Sequence, residues 1–135
     1  RTLAENYVQV HSGNLNREEL KDLAEKGKLG YREFFSKEKS HFQRLLNLPS
    51  SEIAEKQILV VFVPSHKPLN QFGMDPETLE EIQNLAKSKP SILVHFGNPL
   101  ALKHLGDLEN FEAVICGYQG FEEVQEVAAK TLQGI

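Results

Sequence analysis

Ile58-Leu59-Val60-Val61-Phe62-Val63 is apolar at all six positions. A strand with one wet face alternates apolar and polar residues. A strand apolar on both faces lies inside a sheet that helices cover on each side. The run therefore predicts the middle of a mostly parallel sheet. Ser91-Ile92-Leu93-Val94-His95-Phe96 repeats the pattern behind Pro90, and Phe111 to Cys116 repeats it again. Upstream, Tyr7-Val8-Gln9-Val10-His11 nearly alternates, and Tyr31 to Phe35 is aromatic enough for a strand.

Helical patterns fill the intervals. Asn16 is placed to cap a helix, with Glu19 three residues on as in a capping box, Leu20, Leu23 and Ala24 on one stripe, and Gly27 at the end. Phe42, Leu45 and Leu46 recur at helical spacing until Pro49, while Ser50 to Lys56 reads equally as a helical turn or a loop. Pro64 to Met74 is the longest polar connection. Asp75-Pro76-Glu77 then opens a helix by N-cap, N1 proline and first-turn acid, with Leu79, Ile82, Leu85 and Ala86 inward. Asn98-Pro99 repeats the device ahead of Leu102, Leu105 and Gly106, and Val124, Val127, Ala128 and Thr131 fall on one stripe of the last helix. Five strand and helix units in alternation predict an α/β fold. The expected architecture is a flavodoxin-like three-layer α/β/α sandwich with a mostly parallel five-stranded sheet and right-handed crossovers, one domain over residues 1–135.

A formal net charge of -4 and a pI near 5.7 leave no basic footprint for nucleic acid or an anionic membrane. Lys26 and Lys28, and Lys37 and Lys39, are the densest basic spots, and Glu25, Glu33 and Glu38 interrupt them, as on solvated faces. No apolar run approaches the roughly 20 residues of a membrane span. Cys116 is the single cysteine, which excludes an intrachain disulfide, a zinc ribbon and a Cys-x-x-Cys motif; its apolar neighbours predict a buried structural thiol. His41, His95 and His104 lack metal-ligand spacing, so neither a metal nor a cofactor is expected.

Ligands of open α/β sheets bind beyond the carboxyl ends of the strands. That edge is expected to carry His11, Ser65, His66, Asn98, Tyr118 and Gln119 as substrate-binding candidates, with Ser12 and Asn14 beside His11. Catalytic candidates are lacking. Gly-x-Gly-x-x-Gly, Walker A and Gly-x-Ser-x-Gly do not occur, and Val10-His11-Ser12 and Val63-Pro64-Ser65 stand where a response-regulator receiver needs acids. A serine–histidine arrangement of Ser12, Ser65, His11 and His66 has nothing in the sequence to bring it together. Glu77, Glu80, Glu81, Glu122, Glu123 and Glu126 fall on first turns or exposed helix faces, so the strand ends offer no carboxylate pair for glycoside hydrolysis.

Ile92 to Lys103, with its Phe96-Gly97-Asn98-Pro99 core, is followed by Phe111 to Cys116, then Gly117-Tyr118, then Gln125 to Gly134 with its Ala128-Ala129-Lys130-Thr131-Leu132-Gln133-Gly134 close. This succession resembles the C-terminal domain of glycoside hydrolase family 3, in particular its bacterial β-N-acetylglucosaminidase branch. It departs from that pattern at Leu100, where Tyr is usual, and over Gly117 to Gly120, where an acidic neighbour of the tyrosine is common. The resemblance implies an accessory C-terminal domain of a retaining hydrolase acting on terminal β-linked N-acetylglucosamine or glucose. It further implies a partner, an N-terminal TIM-barrel domain that carries the nucleophilic Asp, and an exported parent, periplasmic or extracellular. On this view the chain, opening on Arg1 and closing on Leu132-Gln133-Gly134-Ile135, is a fragment of that hydrolase and not catalytic alone. The alternative expectation is a stand-alone flavodoxin-like domain for a small ligand or a protein partner.

Overall fold

A computed structural model describes residues 3–36, 41–48 and 53–134. Among them the sheet has five strands: β1 (Val8–Gly13), β2 (Leu29–Phe34), β3 (Lys56–Phe62), β4 (Ser91–Phe96) and β5 (Ala113–Gly117). Five helical segments accompany them: α1 (Arg17–Glu25), α2 (His41–Leu46), α3 (Leu69–Phe72), α4 (Pro76–Ser88) and α5 (Glu122–Gln133), with 3-10 turns at Leu3–Tyr7, Pro99–Leu105 and Leu108–Asn110. The strand order is β1-β5-β4-β3-β2, and β2 through β5 run parallel. The expected mostly parallel α/β sandwich is the fold. No helix among the described residues is long and apolar enough to cross a membrane.

The doubly apolar strands account for the three layers. Along β3, Ile58 and Val60 face one layer and Leu59 and Val61 the other, all buried. The first layer is α1, α2 and α5, through Leu20, Leu23, Phe42, Leu46, Val124 and Ala128. The second is α4 with the 3-10 turn Pro99–Leu105, through Leu79, Ile82, Ala86, Ala101, Leu102 and Leu105. The caps form where expected: Asn16 Oδ1 accepts from Glu19 N at 3.1 Å, and Asp75 Oδ2 from Thr78 N at 2.8 Å. Glu19 does not complete a capping box with its own carboxylate, which pairs with the buried Lys56 ammonium at 2.7 Å. In α5 the inward arc is Val124, Gln125, Ala128, Ala129 and Leu132, with Val127 and Thr131 half-buried. That helix packs against both α1 and α2, and neighbours on its flanks widen and rotate the arc from the expected stripe. Pro49 to Glu52 and Lys37 to Lys39 lie outside the described residues; of the segment open between turn and loop, Ile53 to Glu55 is irregular and Lys56 begins β3.

Two expectations are corrected. β1 is antiparallel to β5, from Val8 opposite Gly117 to Gly13 opposite Ala113, with an irregularity at His11 between Val10 and Ser12. Its alternating pattern marks an edge strand with a wet face, and an edge strand of a mixed sheet is free to reverse. Reversal puts the carboxyl end of β1 at the amino edge of the other four strands. Uniformly right-handed crossovers also fail. The steps from β2 to β3 and from β3 to β4 move the same way across the sheet, yet α2 and α4 lie on opposite faces, so the two connections are of opposite hand.

The polar connection after β3 holds a feature the sequence concealed. Asn70, Gln71 and Phe72 have φ of 55°, 52° and 58°, and Gly73 follows at 82°, making α3 one left-handed turn closed by Gly73 N to Asn70 O at 2.9 Å and Met74 N to Gln71 O at 3.1 Å. Each left-handed non-glycine residue costs about 1–2 kcal/mol. Burial of the Phe72 and Met74 side chains, both 1% exposed, contributes about 1.5–3 kcal/mol apiece and offsets the strain. Phe72 O accepts from Ser65 N at 3.0 Å, so the strained turn fixes the start of the loop.

Candidate functional site

β3, β4 and β5 end side by side, with Phe62 beside Phe96 and Phe96 beside Gly117. The loops leaving them enclose a cleft of about 430 Å³ lined by Ser65, His66, Asn98, Tyr118 and Gln119, with Phe62 and Phe96 among its walls. The two phenyl rings stack at 5.0 Å between centroids. Gly117 makes room for the Phe96 ring, since a Cβ there would lie 2.8 Å from Phe96 Cδ1. Gly97 turns the chain at φ 141°, and a Cβ there would sit 2.7 Å from the Val63 Cβ.

Local hydrogen bonds hold the polar residues. Ser65 Oγ accepts from Lys67 N at 3.1 Å, a side-chain turn of the kind serine favours. Asn98 Oδ1 caps the next turn by accepting from Leu100 N at 2.9 Å. Beneath it, His95 on β4 is fully buried, with Nε2 2.9 Å from the Asn98 carbonyl oxygen. A carbonyl only accepts, so Nε2 carries the proton and Nδ1 is the bare nitrogen, without a hydrogen-bond partner. Burial pushes the His95 pKa down to about 4 against a smaller opposing effect of the Asn98 bond. Cys116 is its register partner on β5, and burial pushes that thiol up to about 12. The pair is a neutral imidazole beside a neutral thiol, with neither a nucleophile nor an ion pair.

Five of the six residues singled out in the sequence meet in this cleft. His11 does not. The antiparallel β1 carries it, with Ser12 and Asn14, toward the opposite edge, where Asn14 N donates to Glu112 O at 3.2 Å. Ser12 and His11 are thereby parted from Ser65 and His66, which removes any triad among them. Tyr7 lies beside the carboxyl edge instead, outside the cleft lining, its carbonyl accepting from Tyr118 N at 2.7 Å and its ring meeting Phe121 edge-on at 6.2 Å. Sequence reasoning missed Phe62, Phe96 and Tyr7 as parts of this edge. The alternation of β1, read as an edge-strand signal, was the available clue to Tyr7.

The lining contains no Asp or Glu, so it offers neither the acid nor the nucleophile of glycosidic cleavage. Among the described residues no group of three or more His, Cys, Asp or Glu is placed to hold a metal ion. A second hollow of about 350 Å³ lies between α1, α2 and α5, walled by Leu20, Ala24, Leu46 and Leu132. Its polar lining residues Arg17, Lys21, Glu25 and Gln133 are all exposed, and Arg17 already donates to Thr131 O at 2.7 Å. What the carboxyl-edge cleft can do chemically is bind: a tyrosine ring, an imidazole, hydroxyl and amide groups, and no carboxylate, over a floor of phenyl rings, Phe96 buried and Phe62 half-buried. Comparison with known protein families, curated proteins and solved structures returns no match.

Proposed function

We propose that the chain is the accessory C-terminal domain of a retaining glycoside hydrolase acting on terminal β-linked N-acetylglucosamine or glucose, and that its carboxyl-edge cleft holds a sugar without cleaving it. The observation that carries this reading is the cleft itself, where Ser65, His66, Asn98, Tyr118 and Gln119 converge with the Tyr118 ring as a partly exposed aromatic and no carboxylate among them. Pyranose rings offer hydroxyls for amide and hydroxyl partners and C–H faces for aromatic ones. Hydrolysis needs two carboxyl groups or their equivalents about the scissile bond, and on this reading they belong to a TIM-barrel partner domain. The motif succession from Ile92 to Gly134 supports the same assignment.

A chromogenic β-N-acetylglucosaminide and the matching β-glucoside test it, applied to this chain alone and to the parent in which it is joined to a barrel. Turnover by the parent only is the expected result. Turnover by the isolated chain contradicts the non-catalytic role, and inactivity of the parent on both substrates sinks the glycosidase assignment.

A further inference from the structure

Going beyond that reading and independent of it, we infer that the carboxyl edge of the sheet is where a second copy of this chain docks, the two copies being related by a two-fold axis over the cleft. The large apolar side chains that the fold leaves in water are concentrated at this edge. Leu69, Leu100 and Phe121, 75%, 67% and 48% exposed, stand on the connections that leave β3, β4 and β5, one on each. An apolar residue exposed singly needs no explanation, whereas several around one cleft mark a contact surface. Phe121 is the one its own fold explains least. It occupies the N-cap of α5 without a side-chain hydrogen bond to the helix, a place where Ser, Thr, Asp or Asn would serve the helix better.

Charge identifies the occupant. Residues 64–74 and 97–106 contain no Asp or Glu and carry Lys67 and Lys103, both exposed. The nearby Asp75 is committed to Thr78 as the cap of α4. These two segments touch each other and belong to the α4 layer, where they bury Phe72, Met74 and Leu102. On the other side of the cleft, Phe121 is followed by the exposed Glu122 and Glu123 of α5, which packs on the opposite face of the sheet. Among the described residues none of these four charged side chains has an ion-pair partner. One half of the edge is therefore apolar and basic, the other apolar and acidic. Such a surface is complementary to itself, since a two-fold axis sets the basic half of each copy on the acidic half of the other and forms every contact twice. The apolar patch is small beside the roughly 800 Å² per partner of a standard interface, and its ion pairs are open to solvent, so the expected Kd is about 10–100 μM.

Light scattering on the chain from about 5 μM to about 500 μM, a range that brackets this affinity, tests the inference. The mass is expected to rise from one chain to two, with a midpoint that moves to higher concentration as added salt shortens the screening length. Lys67→Glu with Lys103→Glu makes both halves of the edge acidic, and Glu122→Lys with Glu123→Lys makes both basic. Each double variant alone should associate at least about tenfold more weakly, and an equimolar mixture of the two should regain the wild-type midpoint as a heterodimer. Only folded chains can recover in the mixture, so the recovery separates lost docking from lost folding. A single-chain mass over the whole wild-type range overturns the inference, as does association that neither double variant weakens or a mixture that stays monomeric. None of these results bears on the glycosidase reading, which turnover by the parent decides.

Discussion

His95 gives a sharp quantitative test of the structure beneath the cleft. Its ring is fully buried on β4, with Nε2 bonded to the Asn98 carbonyl oxygen and Nδ1 without a partner. Burial holds its pKa near 4 in the folded chain, against an ordinary 6.5. The folded state therefore takes up the proton later than the unfolded state, and stability is full above the ordinary value and declines as pH falls from 6.5 toward 4. A tenfold change in proton concentration across that window is about 1.4 kcal/mol, so protonating His95 costs the fold roughly 3 kcal/mol, of which about 2 kcal/mol is lost by about pH 5. His95→Gln retains an N–H for the Asn98 carbonyl but cannot protonate. Urea unfolding at about pH 7 and about pH 5 should show the wild type losing about 2 kcal/mol more than the variant between the two conditions. Equal losses refute the reasoning. Should the variant unfold, the His95 ring resonances of the wild type decide instead, since they should not titrate between those two values.

Three further outcomes follow from particular contacts. Gly97→Ala forces a Cβ to 2.7 Å from that of Val63 at a φ of 141°, so thermal or urea unfolding should report a loss of about 1–3 kcal/mol. Gln71→Gly relieves a left-handed residue at φ 52° and should raise stability by about 0.5–1 kcal/mol, the strain relieved less the added chain entropy; destabilisation would show that the turn is not strained. The Cys116 thiol, buried and pushed up to about 12, should resist a disulfide reagent at about pH 8 in the native protein and react once unfolded, whereas rapid native labelling contradicts its burial.

The central sheet was legible in the sequence because β3, β4 and β5 are apolar on both faces, and a strand carries such a run without wetting it only when helices cover it on two sides. Asn16, Asp75 and Asn98 announced their helix or turn starts because a capping side chain acts within three residues of itself. The direction of β1 was not legible: strand polarity is set by pairing with β5, roughly 100 residues away along the chain, and the local pattern says only that one face is wet. That single long-range choice moved His11 out of the site and set the Tyr7 carbonyl against Tyr118 N. The left-handed turn at Asn70 to Phe72 was hidden for a related reason, since its cost is offset by burying Phe72 and Met74 against α4 and the turn after β4, which local propensity does not reveal.

The claim on which the account rests is that the carboxyl-edge cleft is where a sugar binds. Amide chemical-shift mapping of the ¹⁵N-labelled chain with N-acetylglucosamine tests it most directly. The account predicts saturable shifts concentrated at Ser65, His66, Gly97, Asn98, Tyr118 and Gln119, with Gly13 and Asn14 at the opposite edge unmoved. Saturable shifts centred on His11 and Asn14, or on the hollow between α1 and α5, with the cleft silent, would contradict it.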